Sequence, residues 1–140
     1  LIGAGELERK YKEYIKTNNL QEKIIIVSRK EGMELKKYFK ASDIFIFPSS
    51  FDQFGYVVPE ALCSGLPVIC SKYAGASSLI ENGVNGFVVD SKNNFTREID
   101  LTIKNLVEMR NNAFVTMQNK TLENKANEFF HILMDIKEKK

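Results

Sequence analysis

Tryptophan is absent from the 140-residue sequence, histidine occurs once, cysteine twice and proline three times. One histidine and two separated cysteines cannot assemble a ligand cluster of the usual spacings, so no metal site is expected. The same scarcity argues against serine hydrolysis. Ser49 and Ser50 follow Pro48 outside any Gly-x-Ser-x-Gly elbow, and no histidine is placed to activate them. His131 sits among Phe130, Ile132 and Leu133 and reads as a packed or partly exposed residue of the last helix. Cys63 and Cys70 lie in or beside apolar segments and read as buried thiols in a reducing compartment, the cytoplasm. A strong charge of one sign is lacking too: the net charge is +2 and the lysines are dispersed, which gives no footprint for nucleic acid. No apolar run approaches the length of a membrane span, and the first residues show no basic-then-apolar leader pattern, so neither span nor leader is expected. Gly3-Ala4-Gly5 lacks the third glycine of a dinucleotide fingerprint and reads as a strand-end turn. Repeats, low-complexity tracts and linkers are missing as well.

What is present is an apolar fraction of 44% with ordinary charge, enough for one globular domain with a sizeable core. Residues 1–5 read as the end of a buried strand running into a turn, from which the chain is expected to be a piece of a longer protein. Residues 6–18 carry apolar positions Leu7, Tyr11, Tyr14 and Ile15 at helical spacing. Residues 23–27 form a β-branched run, the mark of a strand covered on both faces. A short helix over 34–40 turns Leu35, Tyr38 and Phe39 inward. A strand over 43–48, a helix over 60–64 ended by Gly65, a strand over 67–70, a helical turn over 77–81 and a strand over 86–89 follow. From Phe95 the pattern is helical to the end. In the tail, Ala126, Phe129, Phe130, Leu133 and Ile136 make a packing stripe, and the asparagine pairs Asn93-Asn94 and Asn111-Asn112 read as loop. Strands alternating with helices imply right-handed crossovers and a Rossmann-like, doubly wound parallel sheet of α/β class, with ligands at the carboxyl ends of the strands.

The stretch Pro48 to Leu62, PSSFDQFGYVVPEAL, leaves such a strand end and holds one acid, a glycine, and a second acid at the start of the next helix. The unpaired first-turn amides and the positive end of the helix dipole favour an anion. Gly55 lets the backbone approach closely, and the amides of Gly55, Tyr56 and Val57 are candidate donors to phosphate oxygens. Asp52 and Glu60 would repel phosphate; sugar hydroxyls suit them better, each charge-assisted bond contributing roughly 1.5–3 kcal/mol where shielded. Two acids flanking an amide nest fit a nucleotide-sugar. The competing reading makes Glu60 a dipole-favoured first-turn acid and Asp52 a turn residue bonding its own backbone.

These residues resemble the C-terminal domain of group 1 (family 4) glycosyltransferases, retaining enzymes of the GT-B fold that use nucleotide-sugar donors. Asp52, Phe54, Gly55, Glu60, Ala61, Gly65, Pro67, Val68, Gly75, Gly83 and Gly86 stand in the family's order, and the likeness reaches from LIGAGEL to about Asp90. It implies that Glu60 holds the donor ribose and that Asp52 touches the transferred sugar. The Phe54-Gly55-Tyr56-Val57 backbone would hold diphosphate and sugar, and Ser28, Arg29 and Lys30 would lie against the base. The family usually has Glu at position 52 and Gly at position 28, and often Glu at position 78, where this chain has Asp52, Ser28 and Ser78. The resemblance further implies one donor-binding domain over residues 1–140. A missing N-terminal domain would bring a glycan or lipid-linked acceptor, and a missing first strand would precede the family's basic pair. The substrate would be a UDP- or GDP-sugar, with no cofactor and no metal. The setting would be cytoplasmic polysaccharide biosynthesis, with a peripheral place at the inner membrane face open to the full-length protein. The 140 residues alone are expected to fold without transferring sugar. Two alternatives differ in class: a non-catalytic nucleotide- or phosphate-binding module docking on a partner domain, and a protein-interaction domain using the tail stripe.

Overall fold

The computed structural model describes residues 1–90, 95–118, 120, 124 and 130. The chain divides into two compact units, Leu1–Lys37 and Tyr38–Lys140. His131, Asn93, Asn94 and the tail stripe other than Phe130 lie outside the described residues.

In the first unit, helix α1 (Glu8–Thr17) forms where the apolar spacing places it, and Ile15 is its buried residue. Leu7, Tyr11 and Tyr14, expected inward, are exposed. The β-branched run before Val27 differs from expectation more sharply. Among the described residues of this unit, Leu1–Gly3 runs beside it, through Gly3 N–H to Val27 O at 3.0 Å and Val27 N–H to Leu1 O at 2.8 Å. This leaves one parallel bridge, Ile2 with Val27, instead of a strand. With so short a partner the run is not covered on both faces, and Ile25 is exposed. Helix α2 (Gly32–Lys40) follows, its last three residues belonging to the second unit.

In the second unit, a three-stranded parallel sheet runs β1 (Phe45–Phe47), β2 (Val68–Ser71), β3 (Gly86–Val89) in spatial order. All four residues of the central β2 are buried, which is why Val68–Cys70 is a continuous apolar run and not an alternation. Phe39 meets Phe45 edge-to-face at 5.5 Å. Helix α3 (Val57–Cys63) buries Val58, Ala61 and Leu62 at i, i+3 and i+4. It begins at Val57, not at Glu60: Tyr56 and Val57 already take helical geometry, and Glu60 falls at the end of the first turn. Its end is the expected one. Gly65, at φ +73°, donates to Leu62 O at 2.9 Å and Leu66 to Ala61 O at 3.0 Å, the paired bonds of a Schellman stop. Cys63, read from sequence as buried, lies on the face of α3 opposite Val58 and Leu62 and is exposed; Cys70 in β2 is buried.

The helical turn after β2 is a 3-10 turn over Gly75–Leu79, slightly earlier than the sequence pattern places it. From Phe95 to Gln118 the run is broken into α4 (Thr96–Lys104) and α5 (Leu106–Gln118). Asn105 parts them, its Nδ2 donating to Leu101 O at 3.1 Å, side-chain competition with the backbone that asparagine is prone to. α5 buries Met109 and Ala113, and α3 and α5 pack together. Asn85 is a buried polar tie. Its Oδ1 accepts from Glu81 N–H at 2.8 Å, and its Nδ2 donates to Leu79 O and to Thr116 Oγ1, both at 3.0 Å.

The buried Cys70 thiol is pushed up to about 11 by desolvation, against 9.0 for the free side chain. The folded chain thus keeps a proton that the unfolded chain loses first. The resulting stabilisation is whole below about pH 9 and is lost as the pH rises through about 11. Stability measured by urea unfolding should fall across that window, and Cys70→Ala should flatten the fall. At about pH 8 a maleimide should label only the Cys63 thiol of the folded protein, and Cys63→Ser should abolish native labelling.

Candidate functional site

Beyond β1 and β2 the two chains meet again. Asp52 N–H donates to Tyr73 O at 3.3 Å and Gly75 N–H donates to Asp52 O at 2.9 Å, a parallel bridge of Asp52 with Ala74. The approach is close enough that a Cβ on Gly75 would lie 1.9 Å from Gln53 O, so only glycine fits. This pins the acid loop at the carboxyl end of the sheet.

The Asp52 side chain turns back on its own loop: Oδ1 accepts from Phe54 N–H at 3.0 Å and from Gly55 N–H at 2.5 Å. Gly55, at φ +60°, stands in the left-handed region that other residues rarely enter. The Gly55 amide, read from sequence as a candidate phosphate donor, is bonded to Asp52 in this structure. Gly55 O accepts from Val58 N–H at 2.8 Å, which starts α3. Pro59 has no N–H to offer. The Tyr56 and Val57 amides make no hydrogen bond among the described residues and remain the open donors of this turn.

Glu60 is exposed on the first turn of α3, and neither its carboxylate nor that of Asp52 pairs with a basic side chain among the described residues. Phe54 and Tyr56 stack at 5.4 Å with 13° between ring planes, both exposed, and Phe51 is exposed nearby in sequence. The loop therefore presents two flat aromatic surfaces, two amides and two carboxylates. The loop after β2 is stiffened by buried Ser71, whose Oγ accepts from Tyr73 N–H at 3.0 Å. Lys72 pairs with Asp90 at 2.7 Å and lies 5.1 Å from the Tyr73 ring centroid. The Asp90 hydrogen bond holds the Lys72 ammonium above its ordinary range. Composition and motif spacing carry no sign of this lysine.

Of the residues singled out from sequence, Asp52, Phe54, Gly55, Tyr56, Val57 and Glu60 come together on one loop and helix turn. Ser28, Arg29 and Lys30 belong to the first unit. There Ser28 is exposed, Arg29 pairs with Glu31 at 2.7 Å, and Lys30 pairs with Glu34 at 3.4 Å. Among the described residues no group of three or more potential metal ligands occurs, and no helix is long and apolar enough to cross a membrane.

A parallel α/β unit with a loop of amides and carboxylates at the carboxyl end of its sheet defines the class of protein. The match to "Glycosyl transferases group 1" over residues 1–115 defines the family: the chain belongs to the group 1 glycosyltransferases. It is 28% identical over 134 residues to the Escherichia coli UDP-Gal:alpha-D-GlcNAc-diphosphoundecaprenol alpha-1,3-galactosyltransferase, covering 95% of this chain and 33% of that protein. An uncharacterized glycosyltransferase of Methanocaldococcus jannaschii is 30% identical over 93 residues, covering 66% of this chain and 24% of its own length. The fold is that of GT-B glycosyltransferases. Anabaena HepE, solved with UDP-glucose, superposes with a TM-score of 0.74 at 23% identity, over 96% of this chain and 40% of that one. The chain thus spans a third or less of these two curated relatives.

Proposed function

We propose that this chain holds the nucleotide-sugar donor of a retaining glycosyltransferase and that, within a longer protein, it serves transfer of the sugar to a glycan or lipid-linked acceptor. The observation that carries the reading is the pair of open amides, Tyr56 and Val57, set between the carboxylates of Asp52 and Glu60. Amides at a helix start suit the diphosphate, whose charge they meet without a cation. The exposed Glu60 carboxylate suits a pair of adjacent ribose hydroxyls. Ser28, Arg29 and Lys30 are assigned to the nucleobase on the resemblance alone. Relatives in the family include proteins named for, or solved with, UDP-sugars, which supports a UDP-sugar as the donor. No cofactor beyond the donor is proposed, the setting proposed is cytoplasmic polysaccharide synthesis, and the 140 residues alone are proposed to bind donor without transferring it.

Titration of the chain with UDP-glucose, GDP-mannose and ADP, followed through the amide signals of Tyr56 and Val57, tests this reading. A nucleotide-sugar should move both signals; silence from all three ligands would sink it. Glu60→Gln keeps size and helix propensity but removes charge assistance, so it should weaken UDP binding by about 1–2 kcal/mol. It should also lose most of the preference for UDP over 2′-deoxy-UDP, since the deletion and the substitution remove one shared interaction. A helix acid with no ligand would instead cost about 0.3–1 kcal/mol of stability and leave that preference intact.

A further inference from the structure

We propose that Asn82 is a site of spontaneous covalent modification: the Gly83 amide nitrogen closes a succinimide ring on the Asn82 side chain, and water opens the ring to aspartate or isoaspartate. Asn85, in the same turn, is shielded from this reaction.

The segment from Glu81 to Gly86 holds two Asn-Gly pairs, Asn82-Gly83 and Asn85-Gly86. Asparagine amides are chemically labile, and a glycine next in the chain offers no side chain to hinder attack by its nitrogen, so the sequence marks both pairs alike. The structure separates them. Asn82 and Gly83 are exposed. Asn82 Oδ1 accepts from Val88 N–H at 2.7 Å, while Nδ2 makes no hydrogen bond among the described residues. The oxygen that gains negative charge when Cγ is attacked thus already faces a donor, and the nitrogen that leaves stands in water. Gly83 has φ +80° and open space where a Cβ would be, and one loop bond, from its N–H to Gly86 O at 2.9 Å, holds the nucleophile back. Opening one exposed bond is a small, local event.

Asn85 has the opposite setting. It is buried, Glu81 N–H, Leu79 O and Thr116 Oγ1 occupy its side-chain oxygen and nitrogen, and its carbonyl takes Val68 N–H at 3.1 Å. Gly86, which would attack it, begins β3 and is pressed on β2, where a Cβ would lie 1.9 Å from Val68 O. Ring closure at Asn85 requires β3 to leave β2.

The step needs water alone as co-reactant. Gly83 N gives its proton to solvent and bonds to Asn82 Cγ, the Cγ–Nδ2 bond breaks, and ammonia departs. Hydrolysis at Cγ then gives aspartate, and hydrolysis at the Asn82 backbone carbonyl gives isoaspartate. The second product carries an extra methylene in its backbone. It lengthens the turn that brings Asn82 beside Gly86 and displaces the acceptor of Val88 N–H.

The test is to age the chain at neutral pH, folded in buffer and unfolded in guanidinium, and to digest it with trypsin. Residues 73–92 form one peptide that holds both asparagines, and its fragment masses assign each change of amide to acid. Isoaspartate is counted by enzymatic methylation of its carboxylate. Each residue is compared with itself: folding should leave the Asn82 rate within about tenfold of the unfolded rate and slow Asn85 by at least about a hundredfold. The Asn82 rate should rise with pH, since attack needs the Gly83 nitrogen without its proton. Asn82→Gln should remove the isoaspartate formed in the folded chain, and in the isoaspartate fraction Val88 amide exchange should quicken by about tenfold. An Asn82 rate slowed by folding as far as that of Asn85, Asn85 modified in the folded chain as fast as Asn82, or aspartate formed with no isoaspartate would each overturn the proposal.

Discussion

Gly75→Ala is expected to lower stability by about 3 kcal/mol, near the upper end for overpacking, and to abolish donor binding. The methyl group would lie 1.9 Å from Gln53 O, and the obstacle is backbone, which cannot swing aside as a side chain can. Relief requires separating residues 52–54 from 73–75. This breaks the two backbone bonds of Asp52 and releases the loop that carries Tyr56 and Val57. Urea midpoints and the Tyr56 and Val57 amide shifts on adding UDP-glucose would show both effects. Gly83→Ala is the matched control. Its φ of +80° makes a side chain strained, but the space around it is open, so a loss of about 1–2 kcal/mol with binding retained is expected. Equal midpoints for Gly75→Ala and wild type would mean that the loops do not approach this closely.

Leu62→Ala should cost about 2–5 kcal/mol, a large share of the 5–15 kcal/mol that holds a typical domain folded. Leu62 is fully buried on α3, the helix that packs on α5 and β2. The urea midpoint should drop with the slope unchanged. Cys63→Ala, one residue along on the exposed face, should stay within about 0.5 kcal/mol of wild type. Similar losses from both substitutions would contradict the assignment of the buried face.

The elements most readable in the sequence are those whose partners are close in the chain or whose two faces are both covered. β2 is readable because burial on both sides leaves a polar residue no place within Val68–Cys70. The end of α3 is readable because Gly65 carries its own conformational signature. The run before Val27 misleads for the same physical reason that β2 does not. β-branched residues favour an extended chain, but whether that chain becomes a strand depends on the length of what lies beside it, here Leu1–Gly3. Asn85 is unreadable because its bond to Thr116 spans 31 positions, and an asparagine after Gly83 looks like any turn residue. At the site, the order of acids and glycine marks the loop, and the resemblance names its family. Neither tells an aspartate that bonds a ligand from one that bonds its own amides. That difference lies in hydrogen-bond positions, which composition and spacing do not register; here one carboxylate oxygen takes the Phe54 and Gly55 amides.

After Phe47 and Cys70 the chains of β1 and β2 part, then rejoin at Asp52 and Ala74. The rejoining has a kinetic meaning. A loop tied only at its ends samples many shapes, and a ligand that selects one of them must offset the lost freedom of each residue it orders, about 1–2 kcal/mol for a backbone position. Here residues 52–55 have lost that freedom during folding. Free and bound loops should therefore share one backbone shape, so that association proceeds without a slow rearrangement of this segment. Differences in residence time among donors would then arise from how firmly the open amides and Glu60 retain each one.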